Sequence, residues 1–442
     1  VASDTHTYNT AVGYGAGYAV TTGIRNTIVG ALAGDALTDA DLNVVMGYNA
    51  LSSDTLGSGA VAIGQGALNT QNFTTATTSY NVAVGYNAGG GTTTGVQNTV
   101  IGGLAGDSLT DADFNTAVGM QALTADTLGS RSTAMGFFAL GSQNFTTATN
   151  TYNTAVGYSA GGAVTTGIQN TFFGGTTGQA TTDADYNVAM GYGALYTNTL
   201  GSKSTAIGVS ALQNQNFTTA TDSFNTAVGY TAGLAITTGT SNTIIGAEAG
   251  NNITTGAGNF AAGYGSLTNE TKGNSSIAIG SLALLSQNFT TSTNAYSVAI
   301  GEQAGRNVTT GIQNTLIGGL AGDALTDADN NVAIGQFSLS TDTLGSNSVA
   351  VGRAALISQN FTTATDTYNT AVGYGAGYAV TTGINNTLIG GLAGDALTDG
   401  DNNVALGTSA LGTETRADRN VAVGSYALAT QNIGTDTDTY NT

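Results

Sequence analysis

The stretch Asn9-Thr-Ala-Val-Gly-Tyr14 recurs along the chain, with its glycine at positions 13, 85, 157, 229, 301 and 373. Each step is 72 residues, so the sequence holds six superrepeats. Weaker copies in the first superrepeat place the same glycine at positions 30, 47 and 64, which gives spacings of 17, 17, 17 and 21 residues. Such a fixed period is the signature of a repeat architecture, and six superrepeats of four coils predict 24 coils.

Each coil has the pattern of one short β-strand. The residue three before the coil glycine is β-branched in almost every coil, and the two residues before the glycine are apolar, as in Ala11-Val12 and Ile28-Val29. Such residues bounded by Asn and Gly are typical of strands, and the many glycines exclude helices. The pattern predicts an all-β fold, a parallel β-solenoid that at about 4.8 Å per coil forms a rod on the order of 115 Å long.

An Asn stands four residues before the glycine in most coils, for example at Asn9, Asn26 and Asn43, and Ser replaces it in many fourth coils, as at Ser132. One residue type at one place in consecutive coils predicts a ladder of side-chain amides that closes the turn. We therefore interpret this Asn as structural.

The composition excludes several classes of function. Among 442 residues there are 66 Gly, no Pro, no Cys and a single His, His6. Thiol nucleophiles, Cys-type zinc sites and histidine clusters are thereby excluded, and no cofactor is expected. The net charge of -19 disfavours nucleic acid and anionic membrane surfaces as partners, and no apolar stretch approaches the roughly 20 residues of a membrane span. We expect a protein that is not an enzyme.

The strands carry apolar residues at neighbouring positions, which would face opposite sides of a sheet. One set is mostly small, as in Ala11 and Ala62, and the other is larger, as in Val12 and Ile63. We expect the larger set to fill the core of the coil and the small set to admit another backbone. An apolar stripe along the whole chain exceeds the few hundred Å² that a monomer exposes, so the pattern predicts self-association along the axis.

Three phrases carry a resemblance to a known family: Ser276-Ile-Ala-Ile-Gly280, Ser297-Val-Ala-Ile-Gly301 and Ser348-Val-Ala-Val-Gly352. They resemble the head repeats of trimeric autotransporter adhesins, and the form that begins at Asn9 also resembles repeats of bacteriophage tail fibres and related surface fibres. The resemblance covers the whole chain. It implies a left-handed parallel β-roll in which three chains wrap about a common axis. The head repeats are typically shorter, so the present coils must carry additional loop.

Acidic residues concentrate in one phrase that occurs in every superrepeat except the fourth, first as Asp35 to Asn43. Carboxylates at alternate positions followed by an Asn oxygen are suited to Ca²⁺, although the phrase matches neither an EF-hand nor a glycine-rich calcium roll. A solvated acidic loop is the alternative, and glycoside hydrolysis is disfavoured because no pocket-forming insertion accompanies the phrase. The calcium hypothesis assigns as ligands Asp39, Asp41, Asn43, Asp111, Asp113, Asn115, Asp183, Asp185, Asn187, Asp327, Asp329, Asn331, Asp399, Asp401 and Asn403.

The 21-residue coils contain a second recurrent phrase, first seen as Gln71 to Thr77, with Asn followed by Phe at its centre. The Phe either folds inward and caps the longer coil, or projects and stacks on a sugar or partner surface. The Asn-Phe-Thr triplet also fits a glycosylation acceptor. The candidate contact residues are Phe73, Phe145, Phe217, Phe289 and Phe361.

These observations predict one continuous repeat domain over residues 1–442, without a distinct cap at either end, and an extracellular structural or adhesive fibre segment of a cell surface or virion. Expected partners are further copies of the chain, as a homotrimer and end to end, and a surface glycan or protein receptor through recurrent loops. Nucleic acid and membrane insertion are not expected. One alternative is a threonine-rich ice- or surface-binding solenoid, which needs a flat face of Thr and is disfavoured because the regular Thr positions are expected to face inward or sideways. The other is an end-to-end polymerising filament subunit.

Overall fold

The computed structural model of the chain describes residues 6–435 and 438–441, and these residues form strands and turns without a helix. The chain divides into two compact units, Val1–Ser223 and Phe224–Thr442. Each unit contains twelve coils with one principal strand per coil, stacked in parallel on the next coil. The prediction of an all-β parallel β-solenoid of 24 coils is confirmed.

The principal strands are three residues long, and each ends directly before a coil glycine. In the first unit they are Thr10–Val12, Thr27–Val29, Val44–Met46, Val61–Ile63, Val82–Val84, Thr99–Ile101, Thr116–Val118, Thr133–Met135, Thr154–Val156, Thr171–Phe173, Val188–Met190 and Thr205–Ile207. In the second unit they are Thr226–Val228, Thr243–Ile245, Phe260–Ala262, Ile277–Ile279, Val298–Ile300, Thr315–Ile317, Val332–Ile334, Val349–Val351, Thr370–Val372, Thr387–Ile389, Val404–Leu406 and Val421–Val423.

Short two-residue strands brace the 21-residue coils against the coil before them, again in parallel. These pairs are Gly57–Ser58 with Thr77–Thr78, Gly129–Ser130 with Thr149–Asn150, and Gly201–Ser202 with Thr221–Asp222 in the first unit, and Gly273–Asn274 with Thr293–Asn294 and Gly345–Ser346 with Thr365–Asp366 in the second.

Equivalent residues of successive coils stand beside each other, as Ala62 beside Ala83. The Asn ladder is confirmed and shows why the register holds. The Nδ2 group of Asn26 donates to the carbonyl of Ala40 at 2.7 Å, and its Oδ1 accepts from the backbone N–H of Asn43 at 2.9 Å. One buried side chain thus satisfies two backbone groups of the next coil, which buried backbone groups require.

The coil glycine is required by a close approach between backbones. Gly47 has φ +140°, and a Cβ added to it would lie 2.5 Å from the carbonyl oxygen of Gly64. Other positions adopt the left-handed region without glycine. Arg25 and Leu42, each five residues before a coil glycine, have φ +62°, and their N–H groups donate to the preceding coil, that of Leu42 at 3.0 Å to Ile24. Hydrogen bonds between coils therefore stabilise a backbone conformation that these residues disfavour.

The assignment of the two apolar sets to inside and outside is corrected. Ala62 is fully buried in the core, whereas Ile63 is half-buried on the outer side. The strands alternate in the ordinary way: the residue two before the glycine points inward, and the residues three and one before it point outward. Small residues suffice inside because turn residues such as Leu68 also fill the core.

Side-chain volume inside the coil is balanced between the strand and the turn. Where the inward strand residue is large, as at Leu316, the turn supplies Gly322, and a Cβ there would lie 2.7 Å from Leu316. Where the inward residue is Ala134, the turn supplies the buried Leu140. This exchange keeps the interior close-packed in coils of different sequence.

Candidate functional site

The outward residues of the strands form a continuous surface in each unit, here called the apolar strand face. It consists of the residues three and one before each coil glycine. The first of these is Thr or Val in most strands, and the second is Val, Ile, Met or Phe in most strands. The members one before the glycine are exposed by a third or more at Val12, Met46, Ile101, Met135, Phe173, Met190 and Ile207 in the first unit, and at Ile245, Ile334, Ile389, Leu406 and Val423 in the second.

Aromatic residues border this face on both sides. Tyr occupies the position after the coil glycine at Tyr86 and Tyr230, both more than half exposed. On the other side, Arg131 places its guanidinium 4.8 Å from the ring centre of Phe114 and 5.8 Å from that of Tyr152, in the coils directly before and after. Exposed rings along an apolar sheet are typical of surfaces that are covered in an assembly or contact a ligand.

The acidic phrase lies at the turn of the coil, and its carboxylates hydrogen-bond to the coil before it. Thr94 donates its hydroxyl to Asp111 at 2.6 Å, and the backbone N–H of Val96 donates to Asp113 at 2.8 Å. Equivalent bonds are made in the other phrases, for example from Ile168 to Asp185 at 2.8 Å. The two Asp residues in each predicted calcium set thus link neighbouring coils.

The assignment of the Asn residues as calcium ligands is wrong. Asn43 is fully buried in the amide ladder, where its Oδ1 accepts from the N–H of Ala60 at 2.8 Å, whereas Asp39 is exposed at the turn. The other four Oδ1 atoms accept from the next coil in the same way. They are Asn115 with Ser132, Asn187 with Ser204, Asn331 with Ser348 and Asn403 with Asn420, at 2.8 to 3.0 Å.

Two carboxylates of these sets have shifted pKa values. Burial raises the pKa of Asp185 above its ordinary value. The side-chain hydrogen bond from Arg416, whose Nη2 lies 2.7 Å from the carboxylate, lowers the pKa of Asp399. Across residues 6–435 and 438–441, no group of three or more His, Cys, Asp or Glu side chains is arranged to hold a metal ion.

The phenylalanines of the 21-residue coils fold inward, so the interpretation of Phe73, Phe145, Phe217, Phe289 and Phe361 as surface contacts is wrong. All five residues are 5 to 7% exposed. What the loop presents to solvent is its tip, which reads Thr-Thr-Ala or Thr-Thr-Ser and is exposed in every copy. The tips are 74–76, 146–148, 218–220, 290–292 and 362–364.

A buried carboxylate that the sequence reasoning missed fixes this loop. Asp54 is fully buried, and its Oδ1 accepts from the N–H groups of Gly57 and Phe73, both at 3.0 Å. Its Oδ2 accepts from Nε2 of Gln71 at 2.7 Å, and burial raises the pKa of Asp54. The sequence signal is an acidic residue three before a Gly in the third coil of four superrepeats; the third superrepeat has Asn in its place, and in the sixth the acidic residue precedes Ala417. The equivalent residues are Asp126, Asn198, Glu270, Asp342 and Glu414.

No protein-family model matches the chain, and no curated protein sequence matches it either. Within the part of the chain that the structure describes, no helix has the length and apolarity needed to cross a membrane.

Proposed function

We propose that the chain is a segment of an extracellular structural and adhesive fibre, a homotrimer in which the apolar strand faces of three chains meet. The observation that carries this proposal is the apolar strand face itself. Within one unit, twelve coils about 4.8 Å apart and strands about 10 Å long give it an area of roughly 600 Å². Most of this area is made of Val, Ile, Met, Phe and Thr side chains.

An apolar surface of this size lies at the upper end of the largest patches that soluble monomers expose, and such patches often mark interaction sites. The two faces of one chain together amount to about 1,200 Å², more than the roughly 800 Å² that one partner contributes to a standard interface. The face contains few charges to oppose contact, because the acidic residues lie at the turns. Since the coils are in register, identical faces present the same row of side chains, which favours symmetric association.

The adhesive part of the proposal rests on the loop tips. Each tip presents two Thr hydroxyls, and within a unit the copies recur every fourth coil, about 19 Å apart. Hydroxyls in a regular row can donate and accept hydrogen bonds, and weak contacts repeated at a fixed spacing add up through multivalency. The net charge of -19 favours partners that are neutral or basic.

Light scattering coupled to size-exclusion chromatography tests the assembly. A trimer of 43.7 kDa chains has a mass of about 131 kDa, three times the chain mass. Replacing outward residues of neighbouring coils in the variant Ile101→Glu/Val118→Glu should shift the particle towards the monomer, because it buries charge in the interface. The control Ala148→Glu, at a loop tip, should leave the mass unchanged. A folded wild-type monomer at micromolar concentration would refute the proposal.

A second candidate function is ice or crystal-surface binding, and the orientation of Thr favours it. The regular Thr residues were expected to face inward or sideways, but Thr99 and Thr116 lie half-buried on the outer side. In the first unit, Thr occupies this column in eight of twelve coils. A thermal-hysteresis measurement distinguishes the candidates. Hysteresis that is reduced in Thr116→Tyr supports ice binding, whereas a chain without hysteresis supports the fibre.

A further inference from the structure

A cleft of about 310 Å³ opens on the first unit, between two adjacent coils. It is lined by Tyr14, Gly15 and Tyr18 of one coil and by Leu32 and Asp35 of the next. Both Tyr rings are more than 80% exposed, so their faces are accessible. Gly15 keeps the cleft open, because a Cβ on it would lie 3.1 Å from the Leu32 side chain.

The carboxylate in the cleft has an acceptor atom with no protein partner. The Oδ1 atom of Asp35 is shielded from solvent and accepts no hydrogen bond, whereas the backbone carbonyl of Asp35 accepts from Ala19 at 3.0 Å. A shielded carboxylate oxygen without a donor is costly, and a ligand hydroxyl would satisfy it.

The same five residue types recur 360 residues later in the second unit, at Tyr374, Gly375, Tyr378, Leu392 and Asp395. Tyr374 and Tyr378 are about half exposed. A Cβ on Gly375 would lie 3.0 Å from Leu392, close to the 3.1 Å between a Cβ on Gly15 and Leu32.

The combination is not a general property of the repeat. The second Tyr is replaced in the other four superrepeats, by Gly90, Gly162, Leu234 and Arg306. A further Tyr pair, Tyr192 and Tyr196, lacks the carboxylate because Gln213 stands at its place. Among the six superrepeats, only the first and the sixth combine both Tyr residues, the glycine and the Asp at these positions.

We propose that this cleft, and the equivalent residues around Tyr378, bind a neutral hexopyranose unit of a glycan. Tyr rings offer flat apolar surfaces for the C–H face of a sugar ring, and the Asp carboxylate accepts hydrogen bonds from its hydroxyls. The volume suits one or two sugar units, which leaves room for the glycan to continue into solvent. The carboxylate and the net charge of -19 repel uronic or sialic acids. This assignment deepens the proposed adhesive function by naming the ligand class.

Saturation-transfer difference NMR on the full chain tests it, with the methyl glycosides of glucose, galactose, mannose and N-acetylglucosamine as probes and methyl glucuronide as the anionic comparison. We expect transfer to at least one neutral glycoside, a reduction of at least fivefold in Tyr18→Ala/Tyr378→Ala, and weaker transfer to the glucuronide. The control Tyr86→Ala/Tyr230→Ala removes two exposed rings that lack the second Tyr and should retain the signal. Circular dichroism checks that both variants are folded.

Absence of transfer to every neutral glycoside would overturn the assignment. An unchanged signal in Tyr18→Ala/Tyr378→Ala would show that the sugar binds elsewhere. Stronger transfer to the glucuronide would refute the proposal that the ligand is a neutral sugar. The oligomeric state is measured separately, so a trimer without sugar binding refutes only this inference, and sugar binding by a monomer refutes only the trimeric fibre.

Discussion

Replacing Asp54 tests whether a buried carboxylate holds the loop of each 21-residue coil. Asp54 is the only side-chain acceptor the structure gives to the N–H of Gly57, the N–H of Phe73 and Nε2 of Gln71. Asp54→Ala leaves these donors buried without a partner. At about 1 kcal/mol or more for each unsatisfied group, the local free energy of unfolding should fall by about 3 kcal/mol.

Asp54→Asn should behave in the opposite way, and the chain contains the precedent. Asn198 occupies the equivalent place in the third superrepeat, where its Oδ1 accepts from Gly201 at 3.1 Å and its Nδ2 donates to the carbonyl of the same residue at 2.7 Å. The amide keeps acceptor bonds without burying a charge. We expect Asp54→Asn to stabilise the loop at pH 7 by about 1 kcal/mol, the size of one net hydrogen bond.

The stability difference between Asp54→Asn and the parent chain should depend on pH. Because burial raises the pKa of Asp54 in the folded chain, the protonated form stabilises the fold. This stabilisation is complete below the ordinary pKa of an unfolded Asp, near 3.8, and is lost as the pH rises through the raised value. The Asn variant has no such loss. Its advantage over the parent should therefore be near zero in acid and grow towards neutrality.

Hydrogen exchange of the Phe73 amide is the appropriate assay, because it reports local opening in a repeat protein that need not unfold as one unit. The exchange rates are corrected for the intrinsic effect of pH and converted into opening free energies for parent, Asn and Ala chains. Equal protection in the Ala and Asn chains, or an Asn advantage that shrinks between pH 4 and pH 7, would refute the reasoning.

Three further predictions address the ladders and the acidic turns. Gly102→Ala places a Cβ 2.6 Å from the carbonyl carbon of Gly119 at φ +134° and should cost about 3 kcal/mol, seen as faster limited proteolysis, whereas Gly391→Ala, with open space around it, should not. Asn98→Ala leaves the N–H of Asn115 and the carbonyl of Ala112 unpaired and should lower local opening free energies by about 2–4 kcal/mol in hydrogen exchange. Calorimetric titration with Ca²⁺ after chelation should give no heat, since the Asn oxygens are in the ladder; several sites per chain would contradict this.

Those features that depend on residue type at a fixed period could be predicted from the sequence. The 24 coils follow from the glycine spacing, because Gly13 and its equivalents must face a neighbouring backbone closely enough to exclude a Cβ. The Asn ladder follows from a side chain that carries both a donor and an acceptor at one register. Both features are set within one coil and its immediate neighbour.

Features that depend on the balance between coils could not be predicted. Nothing in the residue type of Arg25 or Leu42 indicates a positive φ, since these residues disfavour it, and the conformation exists only because the stacked coil supplies the hydrogen bonds. Nothing in the residue type of Asp54 indicates that it is buried. Its burial arises because the inserted residues around Phe73 fold back over it, which is a contact between different coils.

The direction of the apolar strand residues was the decisive error, and it has a volume argument behind it. A larger side chain is the usual choice for a core, so Ile63 was placed inside and Ala62 outside. A narrow coil reverses this choice, because the turn fills the interior. Leu68 of the turn lies inside beside the small Ala62, whereas Gly250 of the turn leaves room for the larger Ile244 and for Ile253. The total inward volume is fixed by the coil, and the strand and turn divide it between them.

The larger outward residues are therefore free of any constraint from the core of their own chain, and a row of them maintained through successive coils needs a reason outside the chain. Burial against further copies of the same face supplies such a reason, and the mass of the particle in solution decides whether it is the right one.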